Sequence, residues 1–248
     1  TNAYIIPGQA GIDFVQELTD RGVRVQILTN SLASHDVPAV NSHYKDWRDD
    51  FIGAGAELYE FRPDAAVRDV IEVPPVTGEF VGLHTKAFVV DRRKVFIGSM
   101  NLDPRSAIIN TEMGVVIDNV DLAVRASGAI SQLMTLDNAW QVTLGVDGRP
   151  RWRNDTEELR RQPARGLGQL LADIVLGLLP VDGDEFRAAM YAVQRYYIYW
   201  SKDVKLAGQG TWTLPVVFLL NEVRADAGLP PLKLSDELTL AARYHAHD

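Results

Sequence analysis

His84 and Lys86 are separated by a single residue, and Asp91, Gly98, Ser99 and Asn101 follow within one short stretch. Leu83 to Val90 has the composition of a strand. On a strand His84 and Lys86 point to one face, because side chains alternate with period two. That face offers an imidazole able to act as nucleophile or base, beside a fixed ammonium. Asp91 ends the strand. Glycine at position 98 permits close backbone approach, and Ser99 and Asn101 converge on one anion if the chain between them stays extended. Asn110-Thr111-Glu112 adds a carboxylate just before the next apolar run. Phosphodiester transfer needs a nitrogen nucleophile, a cation for the non-bridging oxygens, neutral donors and an acid to orient the imidazole. This stretch holds all four.

His43, Lys45 and Asp50 repeat the first part of this spacing. They fall in a segment where Val37, Val40, Tyr44, Trp47 and Phe51 recur at three- and four-residue steps, which is helical. Residues two apart on a helix diverge, so His43 and Lys45 could not share a phosphate. No Gly-Ser-x-Asn follows them, and the match reads as coincidence. His245 and His247 are likewise two apart on an expected helix and do not share a face for a metal.

The elements that must position the His84 stretch alternate along the chain. Tyr4-Ile5-Ile6 is a short apolar run stopped by Pro7-Gly8. Ile12, Phe14, Val15 and Leu18 have helical spacing, with Gly22 as a stop. Val23 to Leu28 and Ala56 to Phe61 are strand candidates around the helix of Asp36 to Phe51. This order predicts an α/β fold with a largely parallel sheet and helices on its faces. Asp64 to Glu79, with Pro74 and Pro75, reads as a loop. Arg92-Arg93-Lys94 is a basic turn into Val95-Phe96-Ile97, which makes a hairpin. Asp103-Pro104-Arg105 opens a helix, Met113 to Ile117 is a strand, and Leu122 to Leu136 a helix.

Beyond Gly148 the pattern changes. Arg149 to Arg165 is charged, carries Pro150 and Pro163, and reads as an exposed connector. Residues 166–200 are largely apolar and helical in pattern, with aromatics at Tyr196, Tyr197, Tyr199 and Trp200. The apolar run from Leu170 to Val181 includes Asp173 and is too short to span a bilayer. The expected division is therefore 1–150 as the domain carrying the chemistry, 151–210 as a helical extension and linker, and 211–248 as a separate fragment.

The 248 residues are 46% hydrophobic and 23% charged, the balance of a globular protein, and the net charge is −8. A chain that lived on phosphate backbones would carry a basic surplus, so nucleic acid is not an expected partner. With no cysteine, disulfides, thiol catalysis and cysteine-based zinc sites are excluded. The start at Thr1-Asn2-Ala3 runs at once into a strand-like segment, as an N-terminus cut inside a larger protein would.

His84, Lys86, Asp91, Gly98, Ser99 and Asn101 match the phospholipase D superfamily pattern HxKx4Dx6GSxN. Val95 to Ser106 and Asn110-Thr111-Glu112-Met113-Gly114 resemble bacterial cardiolipin synthase-type members of that superfamily. Pro7-Gly8, Val23 to Leu32 and Gly55 to Glu60 are similar to the second half of such enzymes, and the likeness covers about residues 1–186. The resemblance implies a phospholipase D fold, with a mixed, mostly parallel sheet flanked by helices and an α-helical C-terminal extension. It implies a phosphohistidine on His84 (or His84 as the partner acid) and a phosphate held by Lys86, Ser99 and Asn101. Glu112 would hydrogen-bond the histidine, and Asp91 would orient or support. No metal or cofactor is implied.

The superfamily joins two such motifs in one active site, whereas this chain has one complete copy. The first half would lie upstream, or a second chain would complete the site as a homodimer. The implied activity is phosphatidyl transfer at the surface of a bacterial cytoplasmic membrane, with a phospholipid as substrate. Hydrolysis through the same intermediate is the alternative, and a non-catalytic partner-binding half is the rival of another kind. At the far end, Leu219 to Arg224, Gly228 to Leu232 and Leu238 to His245 resemble the opening of a CAP domain, the cysteine-rich secretory protein superfamily. No functional residue is carried over from that likeness.

Overall fold

In the computed structural model residues 1–71, 78–108 and 110–178 are described. The elements run α1 (Gly8–Asp20), β1 (Gln26–Asn30), α2 (Pro38–Gly53), β2 (Glu57–Phe61), α3 (Arg68–Ile71), β3 (Lys86–Val90) and β4 (Lys94–Gly98). They continue with α4 (Pro104–Ile108), β5 (Gly114–Asp118), α5 (Val120–Leu133), β6 (Ala139–Leu144), β7 (Pro150–Arg153), β8 (Glu158–Leu159) and α6 (Leu167–Leu176). The tail beyond residue 178, including the CAP-like stretch and the aromatics at 196–200, lies outside the described residues.

The strands form a five-stranded sheet in the order β1-β2-β6-β7-β8 and a three-stranded sheet in the order β3-β4-β5. The α/β, mixed character is as expected, but among the described strands the parallel component is the β1-β2 ladder. Every other ladder is antiparallel. For β3 and β4 the reason is local: only the short turn of Asp91 to Arg93 joins them, which antiparallel pairing alone accommodates.

β2 shows how the period-two pattern builds the layers. Leu58 faces a cluster with Ile12 and Val15 of α1, Tyr44 and Phe51 of α2, Val142 and Trp152. Phe61 joins Leu28, Ala139, Leu83 and Met134, with Ile130 and Leu133 of α5 packed against them. The larger sheet is thus covered by α1 and α2 on one face and by α5 on the other. Glu60 shares the α2 side with Leu58 and is fully buried. A buried carboxylate requires partners, and it has them. The Arg48 guanidinium lies 2.7 Å away, while the Tyr44 hydroxyl (3.1 Å) and the Trp152 indole N–H (2.7 Å) donate to it.

Trp152 overturns the expectation of an exposed connector from Arg149 to Arg165. β7 pairs with β6 and β8 with β7, and Trp152 is buried against Leu58 and Tyr44. The sheet therefore continues through position 150, where the sequence suggests a boundary. The strand was obscured because arginines alternate with the tryptophan and Pro150 opens it, a position proline tolerates.

The first six residues form no regular strand, yet they join the two sheets. The Asn2 N–H donates to Leu28 O of β1, and Ala87 N–H of β3 donates to Thr1 O. Leu102 N–H donates to Tyr4 O and Ile6 N–H to Leu102 O, around a parallel bridge between Ile5 and Leu102. This seam sets the β3-β4 hairpin against the end of β1.

Candidate active site

Lys86 opens β3 opposite Gly98, the last residue of β4, which in turn lies opposite Gly114. A side chain at Gly98 would come within 2.7 Å of Met113 O and 2.9 Å of Gly114 Cα. Glycine is therefore what lets the chain lead Ser99 directly out of the strand beside Lys86. Ser99 is then pinned: its N–H donates to Met113 O (2.8 Å), and its hydroxyl accepts from Met113 N–H (3.0 Å). That hydroxyl donates to Glu112 Oε2 at 2.5 Å, and the other carboxylate oxygen accepts from Asn110 Nδ2 at 3.1 Å. Burial pushes the Glu112 carboxyl up. Hydrogen bonds from Ser99, Asn110 and Ser106, with the nearby Lys86 charge, outweigh it and hold the group below the usual carboxylate range.

His84 lies two residues before β3, not on it, so the alternation that was to place it on one face with Lys86 does not apply. Its position is fixed from the preceding residue. Leu83 N–H donates to Asn30 Oδ1 (2.7 Å) and Asn30 Nδ2 donates back to Leu83 O (2.9 Å). Gly82 makes this approach feasible, since a Cβ there would lie 2.4 Å from Ser34 O. The imidazole itself is exposed. Lys86 is buried and turns back, its ammonium donating to His84 O at 2.8 Å. The two residues are brought together by this turn of the lysine instead of by strand register.

Asn101 belongs to the same end of the hairpin, and its Oδ1 is buried without a hydrogen-bond partner. Buried side-chain oxygens are rarely left so, which marks this one as an available acceptor. Asp103 caps α4, its carboxylate accepting from Ser106 N–H at 2.8 Å.

Two expectations change. Asp91 is not at the site: it occupies the β3-β4 turn with Arg92, both at positive φ (51° and 50°). That turn matches the right-handed twist of the strands it joins. At about 3.3 Å per residue it lies roughly 16 Å along β3 from Lys86. Glu112 makes its bonds to Ser99 and Asn110 and not to His84. His43, Lys45 and Asp50 lie on α2 as the helical spacing predicts, with Lys45 paired to Asp173 of α6 at 3.0 Å.

Sequence reasoning missed the other wall of the site, which is Tyr4, His35 and Asp36. The loop after β1 carries His35 and Asp36 past the carboxyl end of that strand, where α/β sheets form crevices. The Tyr4 ring stacks on His35 (centroids 5.3 Å, 16° between planes) and stands edge-on to His84 (6.2 Å, 80°). The Lys86 ammonium lies 5.6 Å from its centre. The Tyr4 hydroxyl donates to the Asp36 carboxylate at 2.9 Å. Burial lowers the Lys86 pKa, opposed by the carboxylates of Asp36, Glu112 and Asp103. No spacing rule links residue 4 to residues 35, 36 and 84, so nothing in the linear order announced this group.

An exposed imidazole beside a buried ammonium and a serine–carboxylate pair stand together at one end of the hairpin, with the Asn101 side chain beside them. The chain belongs to the family described as "Cardiolipin synthase, PLD-like domain", whose model matches residues 1–134. It is 37% identical over 186 residues to cardiolipin synthase C of Escherichia coli strain K12, an alignment covering 73% of this chain and 39% of that protein. It is 28% identical over 163 residues to cardiolipin synthase A of Citrobacter koseri, covering 64% of this chain and 29% of that one. The chain thus spans less than half the length of these relatives. Among solved structures it is similar to Nuc, a phospholipase D family member from Salmonella typhimurium, at 18% identity and a TM-score of 0.42. That match covers 57% of this chain and 78% of Nuc.

Proposed function

We propose that the chain supplies one half of a phospholipase D-type active site that transfers a phosphatidyl group. The observation that carries this reading is the convergence of His84, Lys86, Ser99 and Asn101 at one end of the β3-β4 hairpin in a member of the cardiolipin synthase-like family. An imidazole nitrogen of His84 attacks the phosphorus of a phospholipid, forming a P–N bond as the P–O bond to the headgroup alcohol breaks. The departing oxygen takes its proton from an acid on the complementary half, whether that half lies elsewhere in a longer chain or in a second copy. An acceptor alcohol then attacks the phosphorus, gives up its proton to that same group, and releases His84.

Lys86 supplies positive charge to the non-bridging oxygens, with the Asn101 Nδ2 amide as a neutral donor; Ser99 joins it as a donor only when its hydroxyl proton turns from Glu112 to the phosphate. Glu112 fixes the Ser99 hydroxyl through their hydrogen bond. Asp91, remote from these atoms, supports the hairpin turn. The lipid substrate places the work at the surface of a bacterial cytoplasmic membrane. Among the described residues no helix is long and apolar enough to cross one.

Mass spectrometry for a covalent phosphatidyl adduct tests this directly. The purified chain is incubated with phosphatidylglycerol or phosphatidylcholine vesicles, with and without a complementary half, beside His84→Ala. The expected result is an adduct on His84 that is absent from the variant, with glycerol-type acceptors yielding a transfer product. Phosphatidic acid as the sole product would replace transfer by hydrolysis. No adduct with the complementary half present would remove His84 as nucleophile.

A further inference from the structure

Lysine has four rotatable bonds, and a histidine with no polar partner swings freely on its two. Phosphoryl chemistry needs both held, since a misplacement of an ångström costs a large part of the rate. Lys86 gets one anchor from His84 O. The His84 imidazole makes no hydrogen bond or ion pair among the described residues. Its one ring contact there is with Tyr4.

Resting on the half-site reading above, we propose that Tyr4 is the positioning residue of this site: its ring sets the places of the Lys86 ammonium and the His84 imidazole, held mainly by its own main chain and the His35 stack, with the Asp36 bond a lesser support. The geometry is that of a post held at several points. Backbone hydrogen bonds on either side of Leu102 set the Tyr4 main chain. His35 stacks on the ring, and His35 cannot move because it is buried with its Nδ1 accepting the Val37 N–H at 3.1 Å. Asp36 holds the hydroxyl through both carboxylate oxygens.

With these supports the ring presents an edge to His84 within the 4.5–7 Å range of aromatic pairs. It also offers Lys86 a π cloud at 5.6 Å, within cation–π reach. The contact to Lys86 is one that a neutral aromatic makes without neutralising the ammonium, so the charge stays available to a phosphate. A carboxylate in the same place would compete with the substrate. Asp36 instead reaches the site through the tyrosine hydroxyl.

Three variants of the full chain separate the parts: Tyr4→Phe keeps the ring and removes the hydroxyl, Tyr4→Leu removes the ring, and Asp36→Asn removes the charge. The first readout is the Lys86 ε-methylene resonance, assigned by comparison with Lys86→Arg. A ring facing the ammonium shifts it upfield. Tyr4→Phe should keep most of that shift, and Tyr4→Leu should abolish it. The second readout is the rate of His84 adduct formation with the complementary half supplied. It should drop roughly 10- to 100-fold in Tyr4→Leu, with Tyr4→Phe and Asp36→Asn recovering most of the rate.

A Lys86 resonance unchanged in a folded Tyr4→Leu protein would overturn the proposal. So would Tyr4→Phe as slow as Tyr4→Leu, because the ring would then not be the working part. If the wild type forms no adduct at all, the half-site reading fails, while the Lys86 resonance still decides whether Tyr4 positions the ammonium. If Tyr4→Leu does not fold, the Tyr4→Phe and Asp36→Asn pair carries the test: a lost upfield shift in Tyr4→Phe overturns the proposal and a retained one supports it.

Discussion

His35 carries a pH dependence that belongs to the single residue. Burial pushes its pKa down to about 4, with the charges of Asp36 and Asp173 opposing the shift and Arg165 adding to it. Its Nδ1 lies 3.7 Å from Asp36 Oδ1, but that nitrogen accepts the Val37 N–H, so the ring is neutral and the contact is no ion pair. In the unfolded chain the imidazole titrates near its ordinary value of about 6.5. The folded value is the lower one, so protons bind preferentially to the unfolded state. His35 therefore costs nothing above about pH 6.5 and withdraws stability as the pH falls toward 4. The loss is about 3 kcal/mol across that window. Urea unfolding between pH 7.5 and 4.5 should show this slope in the wild type and a shallower one in His35→Asn, whose amide oxygen can still accept from Val37. Equal slopes in the two proteins would mean that the ring is solvated or paired in the folded state.

At the scale of elements, α2 is held to β2 by a charge that neither could bury alone. Arg48 and Glu60 are both nearly inaccessible, and the guanidinium lies 4.8 Å from the Trp152 ring centre and 5.2 Å from that of Tyr44. Arg48→Met leaves the carboxylate unpaired and should cost about 3–5 kcal/mol in guanidinium unfolding. Adding Glu60→Leu should recover a large part of that loss, since a matched apolar pair replaces a buried ionic one at little cost. A double variant no more stable than the single would show that the Tyr44 and Trp152 hydrogen bonds, and not the missing countercharge, dominate.

The helix in this pair was legible in the sequence because Tyr44, Trp47 and Phe51 keep helical steps. β2 was legible as the short run after the helix of Asp36 to Phe51, and the hairpin from its polar turn. Lys86 and Ser99 are neighbours because Lys86 opens β3 opposite Gly98, the residue that leads into Ser99 and Asn101, a spacing that can be read from the sequence. His84 reached the same place for another reason, its tether to Asn30, which no periodicity encodes. Asp91 ends its strand as expected, but spacing alone cannot show that a hairpin carries its turn away from its open end. Tyr4 and Asp36 were invisible because long-range stacking has no signature in linear order.

For the whole molecule the question is how far the structural unit extends. Position 150 is the start of β7, which is in register with β6 from Pro150 opposite Leu144 to Arg153 opposite Gln141. Trp152 then fills the core shared by α1, α2 and β2. Past the sheet, α6 lies on α2, where Asp173 accepts from Asn41 (2.9 Å), Lys45 (3.0 Å) and Gln162 (3.0 Å). Gln169 and Arg165 donate to the carbonyls of Leu32 and Ala33 in the loop that carries His35. The residues after 150 therefore brace the wall of the site as well as the sheet.

A chain ended at residue 148 should accordingly lose far more than a surface extension. Trp152→Ala in the full chain should by itself cost about 3–5 kcal/mol. The truncated chain loses that burial together with the α6 contacts, so it should fail to show a cooperative thermal transition, whereas a chain ended at 178 should retain one. Calorimetry on the two truncations and the point variant decides the matter. A cooperative transition at the wild-type temperature in the 1–148 chain would make β7, β8 and α6 dispensable and place the working unit within the residues that precede Pro150.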